Sequence, residues 1–209
     1  MGYRFLFTFA MGFSIASMPG PIMALIATET LRRGVRSGVQ AAIAPICVDA
    51  LVMLPLVMIL HASIPSGMVA LAIGVAGGVF LLWLGVQSLR AWSADSPGLT
   101  QNDFVTGLPS FTKGILTHLM NPYPYVFWGT VGLAFVRDGF ETGGIFGALH
   151  FPLTFWLGAS VFNFLVVFLV VRGRRMLPPT AEPYMRMFAG LQLITAGVFL
   201  IVSVAADQL

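Results

Sequence analysis

FLFTFAMGFSIASMPGPIMALIAT, residues Phe5–Thr28, runs for 24 positions without a charged side chain. About 20 apolar residues cross a bilayer, so this stretch is long enough to span one. Its middle carries Pro19-Gly20-Pro21. Each proline lacks an amide hydrogen and its ring clashes with the preceding turn, so a helix through residues 15–21 must bend or open. Gly20 lets the opened backbone take unusual dihedrals. The run is longer than the apolar core of a signal peptide, about 7–15 residues, and reads as a first membrane helix.

The rest of the chain extends that reading. Of 209 residues, 57% are hydrophobic and 9% charged, against about 25% charged in a soluble domain. Six spans are predicted, roughly 5–28, 39–60, 68–89, 114–136, 147–171 and 187–205, which makes the fold class all-α, a polytopic membrane protein. The chain is then a single transmembrane domain, 1–209. A polar connector, Ser93-Ala94-Asp95-Ser96-Pro97-Gly98, joins its two halves, about 1–92 and 110–209. The lysines and arginines divide nine to two, with Arg32, Arg33, Arg36, Arg90, Lys113, Arg172, Arg174, Arg175 and Arg186 facing Arg4 and Arg137. By the positive-inside rule both termini are expected outside the cytoplasm. The net charge of +3 is therefore a topology signal, and no basic stretch interleaved with aromatics points to nucleic acid. The single cysteine, Cys47, excludes an internal disulfide and a multi-thiolate metal site.

The two halves share a pattern. Gly12 precedes Met18 by six residues, as Gly114 precedes Met120, and Pro19-Gly20-Pro21 is echoed by Pro122-Tyr123-Pro124. Gly78 and Gly85 recur as Gly190 and Gly197, again seven apart, and both pairs read as sites of close helix packing. Three spans per half would place the halves in opposite orientations, so the expected architecture is six transmembrane helices as two inverted repeats of three.

Within that frame, candidate transport residues follow from chemistry. Freed carbonyls and amides at a helix break are tolerated at membrane depth only in protein or beside a wet cavity, where they can bind a polar solute. Pro19, Gly20 and Pro21 supply one break; Asn121, Pro122, Tyr123 and Pro124 supply a second, with an amide and a phenol added. Counted from the cytoplasmic ends, Pro19 and Pro122 both lie about 15 Å deep in a core about 30 Å thick. Asp49 is the carboxylate placed deepest within a span, one turn after Pro45. Its expected roles are counter-charge for an ammonium or proton carrier, against a protonated packing carboxyl. His118, one turn before the second break, can shuttle protons or simply pack. Asn163 is read as the counterpart of Asp49 or as an interhelical hydrogen bond. Glu29 and Asp138 lie beside arginines at span ends, where interfacial pairing is expected. No residue spacing indicates a cofactor, and no second metal ligand accompanies His118. No Gly-rich loop ends in Gly-Lys-Ser/Thr to bind ATP.

Met18-Pro19-Gly20-Pro21, Arg32-Arg33-Gly34-Val35-Arg36-Ser37-Gly38, Ala44-Pro45 followed by Asp49, and Met120-Asn121-Pro122 stand in the order and spacing of the lysine exporter (LysE/RhtB-type) translocators. The chain resembles that family over essentially its whole length. It departs where many members have glycines, at Ala44 and Val48. The resemblance implies a cell inner-membrane secondary transporter that exports amino acids or related zwitterions, with an amino-acid-like substrate and the lipid bilayer as partners. It implies site roles for Pro19, Gly20, Pro21, Asp49, Asn121 and Pro122, and is compatible with a homo-oligomer. The residues themselves leave open a cation or metal exporter with Asp49 and His118 as ligands, a membrane-embedded enzyme, and a structural membrane protein.

Overall fold

The computed structural model describes residues 2–18, 20–63, 68–90, 107–172 and 181–206. Pro19, the connector at 93–98, the loop arginines Arg174 and Arg175, and the terminal Leu209 lie outside the described residues. The described chain is helical, with no strand among its residues. Helix α1 (Gly2–Ser17) leads to α2 (Pro21–Arg33) and α3 (Val35–Val48); a π-helical turn (Asp49–Met53) then continues into α4 (Leu54–Ser63). Next come α5 (Met68–Arg90), α6 (Ser110–Leu119) and α7 (Pro122–Phe127). A second π-helical turn (Trp128–Gly132) continues into α8 (Leu133–Val171), and α9 (Ala181–Ala206) ends the order.

At least two helical stretches are long and apolar enough to cross a membrane: Val35–Ser63 and Pro122–Val171. The α1–α2 pair passes the same test if its 69° bend is one broken span. Large apolar side chains such as Leu51 and Phe146 face outward, which suits hydrocarbon and not water.

Local chemistry sets the breaks. Gly20 is extended and Pro21 begins α2 at a position where a missing N–H costs nothing. Asn121 is likewise extended; its side-chain oxygen accepts the Tyr123 N–H at 3.1 Å, and Pro122 begins α7. Gly34 turns the chain between α2 and α3 at φ +85°, a conformation that a side chain would strain. Within α8, Gly143 and Gly144 leave helical geometry, Gly144 at φ +59°, so the element is two limbs folded back on each other. Gly139 and Gly147 face one another across that reversal with no room for a Cβ.

Between the helices, glycines permit backbone contact, which replaces the hydrophobic driving force that lipid cannot supply. Helix α5 packs along α9. A Cβ on Gly78 would stand 2.9 Å from the Gly197 carbonyl oxygen, and one on Gly85 would stand 2.7 Å from that of Gly190. Both glycine pairs are thus sites of close helix packing, as expected from the sequence, and the structure packs them on each other. Gly12 abuts the Phe155 backbone of α8, and Gly114 abuts Ala41 and Ala44 of α3. The interior divides in two. An aromatic cluster gathers Phe127, Trp128, Phe151, Phe155 and Trp156, while a smaller-residue cluster gathers Leu25, Ile26, Ala41, Ala42 and Phe162.

Candidate functional site

Asp49 sits at the midpoint of the 29-residue Val35–Ser63 stretch, where α3 gives way to its π-helical turn. The cause lies on both sides. Pro45 cannot donate to Ala41, and Pro55 cannot donate to Leu51, so regular helical bonding is interrupted around the carboxylate. A widened turn is one way a helix absorbs such a defect, and such turns are frequent at functional sites.

The close contact of Gly114 with Ala41 and Ala44 brings α6 against α3. One turn beyond Gly114, His118 Nε2 lies 2.9 Å from Asp49 Oδ1. Both side chains are nearly enclosed, 11% and 9% exposed. His118 is followed directly by the second break. There Tyr125 donates its hydroxyl across the gap to the Leu119 carbonyl at 2.8 Å, occupying one group that the break frees. Tyr125 was not legible as a break partner, because its role depends on the bend that brings it back six residues.

The remaining sequence candidates separate. Asn163 donates to the Ala42 carbonyl of α3 at 3.4 Å, a hydrogen bond between helices. Tyr123 is half-exposed and stacks on Trp83 and Phe80 of α5 at ring separations of 6.1 and 6.4 Å. Gly20 and Pro21 open α2 as described, and Pro122 and Pro124 lie in the first turn of α7.

A second charged cluster joins α6, nearer its start, to α2. Glu29 of α2 is 1% exposed, its carboxylate 2.7 Å from Lys113 Nζ of α6, with the Ser110 hydroxyl donating to its other oxygen. Arg33 approaches Glu29 at 3.7 Å and donates to the Leu108 carbonyl at 3.2 Å. The interfacial pairing expected from the neighbouring arginines is therefore only the outer part of this cluster; its core is a buried contact with Lys113. Asp138, adjacent to Arg137, pairs instead with Arg4 at 3.1 Å, both about half exposed, and Arg137 pairs with Glu141. The Arg4–Asp138 contact links α1 to the first limb of α8.

Two buried polar atoms among the described residues meet no acceptor or donor, His61 Nδ1 and Trp156 Nε1. The His61 ring packs on Phe140, and the Trp156 ring lies 5.9 Å from that of Trp128.

A family model for LysE type translocators matches residues 13–204 of this chain. The chain belongs to that family. LysE type translocators are transporters and not enzymes, which removes the enzymatic reading of the Asp49–His118 pair. Among curated proteins, the Threonine efflux protein of Escherichia coli (strain K12) is 33% identical over 144 residues, 62% of this chain and 63% of that protein. The Threonine efflux protein of Salmonella typhi is 31% identical over the same shares. The Chemotactic transduction protein ChpE of Pseudomonas aeruginosa is 34% identical over 143 residues, 65% of this chain and 67% of that protein. The match thus spans about 63% of the length of the threonine efflux relatives. No solved structure matches the chain.

Proposed function

We propose that this LysE type translocator exports an amino acid or a related small zwitterion across the inner membrane by proton-coupled alternating access. The observation that carries the reading is the enclosed Asp49–His118 pair, which joins α3 to the segment just before the second helix break. A charged side chain at membrane depth is costly to bury and, where it occurs, tends to mark the path of a solute or a proton. Asp49 can balance a substrate ammonium, and the His118 imidazole has two ring nitrogens through which a proton can be held or passed on. The similarity to threonine efflux proteins favours an amino acid as cargo.

The proposed architecture is six spans in two inverted repeats, with both termini outside the cytoplasm. Packing supports the repeat. Exchanging the halves by the offset that relates Gly78 to Gly190 and Gly85 to Gly197 converts the Gly78–Gly197 contact into the Gly85–Gly190 contact, and both occur. At the shorter offset of 102 residues that holds earlier in the halves, Gly12, set against α8, corresponds to Gly114, set against α3. The orientation rests on the nine-to-two division of basic residues. In the mechanism, the breaks at Pro19–Pro21 and Asn121–Pro124 present backbone dipoles to the solute, and the halves rock around the site.

A metal exporter would need ligands beyond Asp49 and His118, and no group of three or more His, Cys, Asp or Glu among the described residues is placed to hold an ion. The testing experiment loads proteoliposomes with each of the twenty amino acids in turn and measures release. Accelerated release of one or a few supports the reading. Release no faster than from empty vesicles, from protein shown to be folded, overturns it. Cysteine labelling near the C-terminus tests the topology; a cytoplasmic label would overturn the orientation.

A further inference from the structure

We propose that the Trp156 indole N–H is a substrate-binding donor, receiving the carboxylate of the zwitterion while Asp49 takes its ammonium; this rests on the amino-acid reading above. Trp156 is 9% exposed, and its Nε1 meets no acceptor of the protein. An indole nitrogen is a donor only. Buried tryptophans normally find a partner for it, and an orphaned donor calls for an explanation.

The register of two helices places this donor. A Cβ on Gly38 of α3 would lie 3.3 Å from a Val167 methyl of α8, and four residues on, Ala42 accepts from Asn163, four residues back along α8. The two helices are therefore antiparallel and in step. Seven residues further on, α3 has just ended and Asp49 opens the π-helical turn, and seven further back along α8 lies Trp156. Seven residues is almost two full turns, about 10.5 Å, so each helix presents the same face again at the same depth. Val48, beside the carboxylate, and Trp156 belong to one buried cluster. A carboxylate and a donor-only group carried at one level on neighbouring helices match the two ends of an α-amino acid, which needs an anion at its ammonium and N–H groups at its carboxylate.

Trp128 and Phe155 complete the surroundings. Their rings stand 5.6 Å apart at 74°, and Trp128 opens the second π-helical turn. Rigid aromatic walls would hold the backbone atoms of a zwitterion without competing for its charges. An amine lacking the carboxylate would make the Asp49 contact and forgo the indole one.

The test compares wild type with a protein carrying 3-benzothienylalanine at 156, which keeps the ring shape and replaces N–H by sulfur, and with Trp156→Phe. Proteoliposomes are loaded either with the amino acid that wild type releases fastest from the panel of twenty or with the amine formed by its decarboxylation. The concentration dependence of release is then measured. The expected result is a KM for the amino acid raised about tenfold or more by the sulfur analogue, with that for the amine unmoved. An unchanged KM for the amino acid, or equal shifts for both compounds, would overturn the assignment to Trp156 while leaving the transport reading intact. A folded wild type that releases no amino acid removes the reading and this proposal together. Because the analogue preserves packing, a misfolded Trp156→Phe protein does not blunt the test.

Discussion

Two buried acid–base pairs tie α6 to the first half of this molecule, one to α2 and one to the turn that follows α3, and they are built differently. At Glu29 the carboxylate is saturated: Lys113 and Ser110 bond to its two oxygens, Arg33 stands by, and Arg33 is in turn tied to the Leu108 carbonyl. At Asp49, His118 is the bonded side chain among the described residues, in a helix already opened by Pro45 and the π-helical turn. A saturated ion pair has fixed charges and one good geometry, so it holds two helices together. A carboxylate–imidazole pair holds an exchangeable proton between two groups, and here it leaves a carboxylate oxygen with no second side-chain partner among the described residues. The contrast suits anchoring at the first and, under the proposed function, solute and proton handling at the second.

The largest effect is expected where the saturated cluster is broken. Lys113→Ala leaves Glu29 buried without its main partner, a loss of about 3–5 kcal/mol for removing one member of a buried pair. Thermal unfolding in detergent should record it. Adding Glu29→Gln should recover most of the loss; if the double variant is as unstable as the single one, Glu29 is not the group left stranded. Asp49→Asn should do the reverse. The near-isosteric amide is cheaper to bury, so stability holds, while amino-acid release falls about 10–100-fold, the equivalent of a charged hydrogen bond of about 1.5–3 kcal/mol. Equal behaviour of the two variants in both assays would erase the distinction.

The comparison also shows how far the sequence could be read. Apolar runs located the helices, Gly20-Pro21 and Asn121-Pro122 located the breaks, and the spacing of Gly78, Gly85, Gly190 and Gly197 marked positions of close helix packing, though not which helices meet there. These signals are local or periodic. The pairing of Glu29 with Lys113 crosses 84 positions and depends on the angle between α2 and α6, so Glu29 read only as a partner of nearby arginines. Asp49 and His118 were each legible as costly residues in apolar spans, but their contact needed Gly114 seated on Ala41 and Ala44. Trp156 looked like any aromatic in a long apolar run; its unsatisfied nitrogen exists only in the packed structure.

A smaller effect sharpens the same contrast. Gly114→Ala would put a Cβ 2.5 Å from that of Ala44, forcing α6 away from α3 at the point that sets His118 against Asp49. Overpacking of this kind costs about 1–3 kcal/mol. Release should fall further than stability alone explains, and the double substitution Gly114→Ala, Ala44→Gly should restore it. The smallest effect belongs to the exposed Arg4–Asp138 bridge: Arg4→Ala should change stability by no more than about 1 kcal/mol, less at high salt.

The central claim, that the Asp49–His118 pair couples proton movement to amino-acid export, is most directly tested by one flux measurement. Proteoliposomes loaded with the amino acid found in the panel, and suspended in buffer more acidic than their interior, are followed for amino-acid release and proton uptake together. Wild-type protein should release the amino acid faster than without the gradient, with protons entering in step, and Asp49→Asn should show neither response. Wild-type release indifferent to the gradient, or gradient-driven release by well-folded Asp49→Asn protein, would contradict the account.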